Sequence, residues 1–262
     1  MKLFRKTLAL LLAAAIAFGG VGNAFADNII IGTWTPPGEA SDAADDGENN
    51  IPESGVDLSD AVYAPEDISA YTEWDGDTAF SEGTNYYINS TVKMKRKLTL
   101  PEGSRLVLCA GAELLIYGDA RLRILGNMIA EPNSIIKVTG TLSIGENAGF
   151  ESYGTLSVTK SAVLNISSEF IIRHGAKATI SGTVNIYKTG VFLNYGQTTL
   201  TESSYTTVTG EWQTPSDGRL YCKGHFGITI NGRATQAGYF LLGGEMVNSG
   251  VFIFESTVKY YK

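Results

Sequence analysis

The chain has 262 residues, 44% of them hydrophobic and 18% charged, a composition that can bury a sizeable core and excludes a chain disordered throughout. Two cysteines are too few for a disulfide-stapled scaffold, and a net charge of −7 argues against nucleic acid as a partner. That charge is unevenly placed. Asp27 to Glu82 holds 15 of the 27 acidic residues and no Lys or Arg, whereas Lys93 to Lys262 holds 17 basic residues against 12 acidic ones. The pattern reads as a solvated acidic segment joined to a mildly basic folded body.

In chain order, Lys2, Arg5 and Lys6 precede an apolar run from Leu8 to Phe18, and Ala24-Phe25-Ala26 offers small residues where a signal peptidase reads. Residues 1–26 are therefore expected to be an export signal, since the run is too short to span a bilayer. Residues 27–79 are rich in Pro, Gly, Asp, Glu and Asn and poor in clustered apolar side chains, which predicts an acidic, loosely attached linker with Trp34, Tyr63, Tyr71 and Trp74 as docking points. Asp42, Asp46, Gly47 and Glu53 fall at positions 1, 5, 6 and 12 of a calcium-loop pattern. Ala44 stands where an oxygen donor is needed, so no metal site is assigned.

Residues 80–97 read as an N-terminal cap, and from Leu98 the pattern changes. Pairs spaced by two, apolar at both positions except for Ser152, Asn194 and Thr198 and the mark of a strand with one buried face, begin at 98, 106, 114, 122, 128, 136, 142, 150, 156, 164, 170, 178, 184, 192 and 198. After three intervals of eight and one of six, they alternate between eight and six. The short links carry a central Gly in five of six cases, as in Thr139-Gly140-Thr141 and Tyr153-Gly154-Thr155, where positive φ at a sharp corner is expected. Val138-Thr-Gly-Thr-Leu-Ser-Ile144 returns 42 residues later as Ile180-Ser-Gly-Thr-Val-Asn-Ile186. So dense a metre leaves no room for helices and means stacked coils. Six strands per 42 residues fit two coils of a three-sided helix or three coils of a two-sided roll. The three-sided form is favoured because the wording matches best at 42. The expected fold is an all-β, right-handed, three-sided parallel β-helix with repeats over 98–204. Residues 205–262, in which the metre is no longer visible, form a C-terminal cap or terminal coils.

Asn85-Tyr-Tyr-Ile-Asn-Ser-Thr-Val92, Lys97-Leu-Thr-Leu-Pro-Glu-Gly-Ser104, Leu106-Val-Leu-Cys109 and the Gly-Thr-Leu-Ser phrases together resemble secreted bacterial parallel β-helix proteins of the pectin-lyase-like type, many of them adhesin-like. The resemblance covers about Tyr86 to Leu200. It implies the coil, and a choice among lyases, hydrolases, adhesins and passive surface layers.

The residues favour the non-enzymatic end of that range. Lyases of this type need carboxylates at one position of neighbouring coils, whereas Glu102, Glu113, Asp119, Glu131, Glu146, Glu151 and Glu169 sit at different offsets. His174 and His225 lack nearby second ligands, so no catalytic residue, metal or cofactor is assigned. Lys93, Lys95, Arg96 and Lys97 form one basic cluster, suited to anionic wall polymers, to the acidic segment, or to protection of a sheet edge. Tyr153 and Tyr195 are expected outward at equivalent corners, and Tyr117 and Tyr187 one residue past equivalent strands; such rings stack on sugar faces. Cys109 and Cys222 are candidates for a disulfide. The sequence thus predicts a secreted or cell-surface structural or adhesion module that contacts polysaccharide, a cell wall or a host surface, with no stable membrane insertion. A divergent polysaccharide lyase or glycoside hydrolase is the alternative.

Overall fold

The computed structural model describes residues 63–255. The export signal, the calcium-loop pattern, Trp34 and residues 256–262 lie outside that range. The described residues form strands joined by short links, with no helix. Sheet I stacks β1 (Thr72–Glu73), β2 (Tyr86–Ile88), β5 (Arg105–Leu108), β8 (Asn127–Ala130), β11 (Gly149–Ser152), β14 (Glu169–Ile172), β17 (Val191–Asn194), β20 (Glu211–Thr214), β23 (Arg233–Gln236) and β26 (Val251–Phe254). Sheet II stacks β3 (Thr91–Met94), β6 (Glu113–Ile116), β9 (Ile135–Val138), β12 (Thr155–Val158), β15 (Lys177–Ile180), β18 (Gln197–Leu200), β21 (Arg219–Cys222) and β24 (Tyr239–Leu242). Sheet III stacks β4 (Lys97–Leu100), β7 (Arg121–Ile124), β10 (Thr141–Ile144), β13 (Val163–Ile166), β16 (Thr183–Ile186), β19 (Tyr205–Val208), β22 (His225–Ile228) and β25 (Glu245–Asn248). All pairings are parallel, and from β2 onward every third strand shares a sheet, so the described residues form a three-sided parallel β-solenoid of about eight coils.

The register explains the 42-residue echo. Arg121 pairs with Thr141 and Thr141 with Val163, steps of 20 and 22 residues. Four-residue links such as 145–148 and 159–162 alternate with two-residue links such as 139–140 and 153–154. Because the coil has three sides, strict alternation of two link types sets each long link above a short one at the same corner. Two coils restore the starting arrangement.

That stacking also corrects the expected role of the short-link glycines. Positive φ falls instead on the third residue of long links, at Gly103, Gly111, Asn133, Asn147 and Gly175. Gly140 has no such φ; a Cβ there would press into the carbonyl oxygens of Tyr117 and Ala120 in the coil below. Close approach between coils, rather than the bend itself, requires its bare Cα.

Inward side chains form ladders. On sheet I, Phe150 lies flat on Phe170 at 4.5 Å, followed by Phe192, and Phe192 lies flat on Trp212 at 4.1 Å. Such pairs add about 0.5–1.5 kcal/mol beyond area burial. Past residue 200 the 8/6 metre in fact continues to β24, but its inward positions turn partly polar. Buried Asn194 donates from Nδ2 to the Arg219 carbonyl at 2.9 Å and accepts from Thr198 Oγ1 at 2.9 Å, and Trp212 Nε1 donates to Thr214 Oγ1 at 3.0 Å.

Residues 63–79, which the composition places in the acidic linker, lie against the coil. Trp74 is 2% exposed, stacks on Phe80 and donates from Nε1 to the Thr78 carbonyl at 2.8 Å, closing the lower end of the core. Glu66 pairs with Arg105, and the Tyr63 hydroxyl donates to Glu131 Oε1 at 2.6 Å.

Candidate functional site

The four tyrosines singled out in the sequence do not form one row. Tyr153 and Tyr195 follow β11 and β17 at the corner between sheets I and II, two coils apart. Both are tied into the molecule. The Tyr63 ring packs on Tyr153 at 4.5 Å, and Glu151 Oε2 accepts from both the Tyr153 hydroxyl (3.3 Å) and Arg173 Nε (3.0 Å). Arg173 also lies over the Tyr195 ring at 5.8 Å, and Tyr195 packs beside His174, whose Nε2 meets Asp217 at 2.8 Å. Burial and the Glu131 carboxylate raise the Tyr63 phenol well above its usual range, which keeps it a hydrogen-bond donor.

Tyr117 and Tyr187 are the exposed pair, at 40% and 48%. They sit at different corners: Tyr117 follows β6 between sheets II and III, and Tyr187 follows β16 between sheets III and I. The outer face of sheet III therefore lies between them, three rungs apart, or about 14 Å along the axis.

That face carries a shallow groove of about 470 Å³ lined by Arg121, Arg123, Ser143, Asn165, Ser167 and Tyr187. Its floor is a polar ladder set by the parallel register. Asn165 Nδ2 donates to Ser143 Oγ at 3.3 Å, Asn185 Nδ2 to Asn165 Oδ1 at 3.0 Å, and the Tyr187 hydroxyl to the same oxygen at 3.3 Å. Alternation of side chains put Asn165 and Asn185 outward in the sequence; which columns they share with the arginines depends on coil length, which only the three-sheet register supplies.

Charge is distributed unevenly over the coil. Arg105, Arg173 and Arg233 each meet a carboxylate, as do His174 and His225. Arg96 meets Asp77 at 3.5 Å. Lys93, Lys95, Lys97, Arg121, Arg123 and Lys137, which surround the lower part of the corner between sheets II and III, have no ion pair among the described residues. Glu102 and Glu146 belong to the opposite corner, between sheets III and I. No group of three or more His, Cys, Asp or Glu side chains suited to a metal ion occurs among the described residues.

The disulfide considered for Cys109 and Cys222 is not formed; both are free. Five rungs of sheet I separate β5, which precedes Cys109, from β20, which precedes β21 and Cys222. At about 4.8 Å per rung that is roughly 24 Å, far beyond disulfide reach. Cys222 is a core residue whose burial pushes its thiol up to about 11.

Comparison with protein families, with characterised proteins and with solved structures finds no match to the chain.

Proposed function

We propose that the chain is an exported, non-enzymatic β-helix of a cell surface or extracellular matrix, which contacts carbohydrate through the outer face of sheet III. The observation that carries this reading is the groove itself. A fixed ladder of amide and hydroxyl groups runs up it, with Tyr187 at its margin and exposed Tyr117 at the opposite corner. Sugar hydroxyls pair with such groups, and sugar faces stack on such rings. The three-sheet parallel coil supports kinship with pectin-lyase-like surface proteins. The test is to incubate the protein with plant, host and bacterial wall polysaccharides and score both co-sedimentation and new chain ends. Co-sedimentation without new ends is expected. New chain ends would establish the alternative, a lyase or hydrolase, and retention of no polysaccharide would remove the carbohydrate reading.

A further inference from the structure

We infer that the polymer held on sheet III is an anionic glycan, anchored by Arg121 and Arg123 with Lys97 beside them. The inference rests on the proposal that this face contacts carbohydrate, and it specifies the ligand's charge.

Three observations carry it. The first is register: Lys97 pairs directly with Arg121, so two cations stand on adjacent rungs about 4.8 Å apart, and Arg123 is the next outward residue on the same strand. Like charges opposite one another across strands are destabilising. Here they are also uncompensated, since Lys97, Arg121 and Arg123 lack an ion pair among the described residues, whereas four of the five other described arginines, all but Arg219, meet a carboxylate.

The second is position within the sheet. Lys97 lies on β4, the terminal strand of sheet III, and Lys93 on β3, the terminal strand of sheet II, where cations serve to block edge-to-edge pairing. That explanation does not reach Arg121 and Arg123, because β7 is flanked by β4 and β10. Lys137 on β9 is likewise an interior cation, one strand beyond Leu115, which pairs with Lys93. Edge protection therefore does not account for them, and what sets Arg121 and Arg123 apart from single interior cations such as Lys177 and Arg219 is that they stand together on one strand with Lys97 directly opposite.

The third is the company they keep. Both arginines line the groove with its polar ladder, while Tyr117, an exposed ring, stands at the corner from which β7 begins. Planar guanidinium groups donate two parallel hydrogen bonds to sulfate or carboxylate oxygens. A ring beside them favours a sugar backbone over an acidic peptide. Glu102 and Glu146, on the far margin, would repel anions and so direct the charged groups of a bound chain toward the arginines.

The test compares dextran sulfate with unmodified dextran, which share a backbone and differ in charge, and includes poly-glutamate as an acidic peptide. The full chain should bind dextran sulfate in a salt-sensitive manner and more tightly than either of the others. The double variant Arg121→Gln/Arg123→Gln should weaken that binding by about tenfold or more. Lys177→Gln/Lys223→Gln, which removes the same charge from exposed positions elsewhere, should change it less than about twofold. All these side chains are on the surface, and thermal melts matching the parent would exclude unfolding as the cause. Equal binding of both dextrans, or no loss in the arginine variant, overturns the charge assignment while leaving carbohydrate contact intact. Tightest binding to poly-glutamate makes the partner an acidic peptide. Retention of neither dextran overturns this inference, whereas the carbohydrate reading itself falls only if the plant, host and wall polysaccharides are not retained either.

Discussion

The tightest constraints in the coil fall on single Cα atoms. Gly140 sits where the two-residue link of one coil presses on the four-residue link below, so a methyl group would collide with backbone carbonyls held by hydrogen bonds on both sides. Gly118, in the long link below, has open space around it and no positive φ. Gly140→Ala should therefore cost about 1–3 kcal/mol in urea unfolding, the usual range for forcing atoms into a packed site. Gly118→Ala should be neutral or slightly stabilising, by reducing the freedom of the unfolded chain. If Gly140→Ala unfolds with the parent's midpoint, the stacking explanation of the short-link glycines is wrong. The sequence shows that these glycines matter, since they recur in metre. Their reason is hidden in it, because the carbonyls they approach are about 20 residues away.

Strands and links obey their alternation with few exceptions, and one of those exceptions assigns a role to an acid. At the corner between sheets I and II, long link 131–134 sits on long link 109–112 instead of on a short one. There Glu131, only 8% exposed, turns its carboxylate into the step: Oε2 accepts from the Ala110 amide at 2.8 Å and Oε1 from the Tyr63 hydroxyl. Glu131→Ala strands that amide and should destabilise the fold by about 1–3 kcal/mol, measured by urea denaturation, whereas Glu113→Ala on an outward strand position should stay within about 0.5 kcal/mol. Equal midpoints for the two variants would deny Glu131 this role. The same irregularity limits what the sequence reveals. The three intervals of eight after residue 98 are legible, as is the outward direction of the tyrosines, but their columns are not. β11 and β17 are six strands apart, a multiple of three, so Tyr153 and Tyr195 share a corner; β6 and β16 are ten apart, so Tyr117 and Tyr187 do not. Beyond residue 200 the metre disappears from the sequence because Thr206, Thr214 and Gln236 take inward places that apolar side chains would have marked.

Over the whole molecule, each coil contacts its neighbours above and below, so stability is a sum of coil and interface contributions. Removing residues 141–182 takes out two coils and joins Gly140 to Thr183, the residue equivalent to Thr141, and at the joint each long link still sits above a short one. Removing residues 141–162 takes out one coil and sets long on long and short on short at the joint. The first deletion should melt cooperatively near the parent temperature, with a rod shorter by about 10 Å in small-angle scattering. The second should melt lower despite keeping more coils. A higher melting temperature for the single-coil deletion would refute the pairing rule. Two link lengths on an odd number of sides thus give the rod a parity. It can lengthen or shorten without repair only in increments of 42 residues, so the distance it spans is quantised in steps of two rungs. Insertion of an odd coil is then expected to be accompanied by a compensating side chain at the seam, the part Glu131 plays at the lower end.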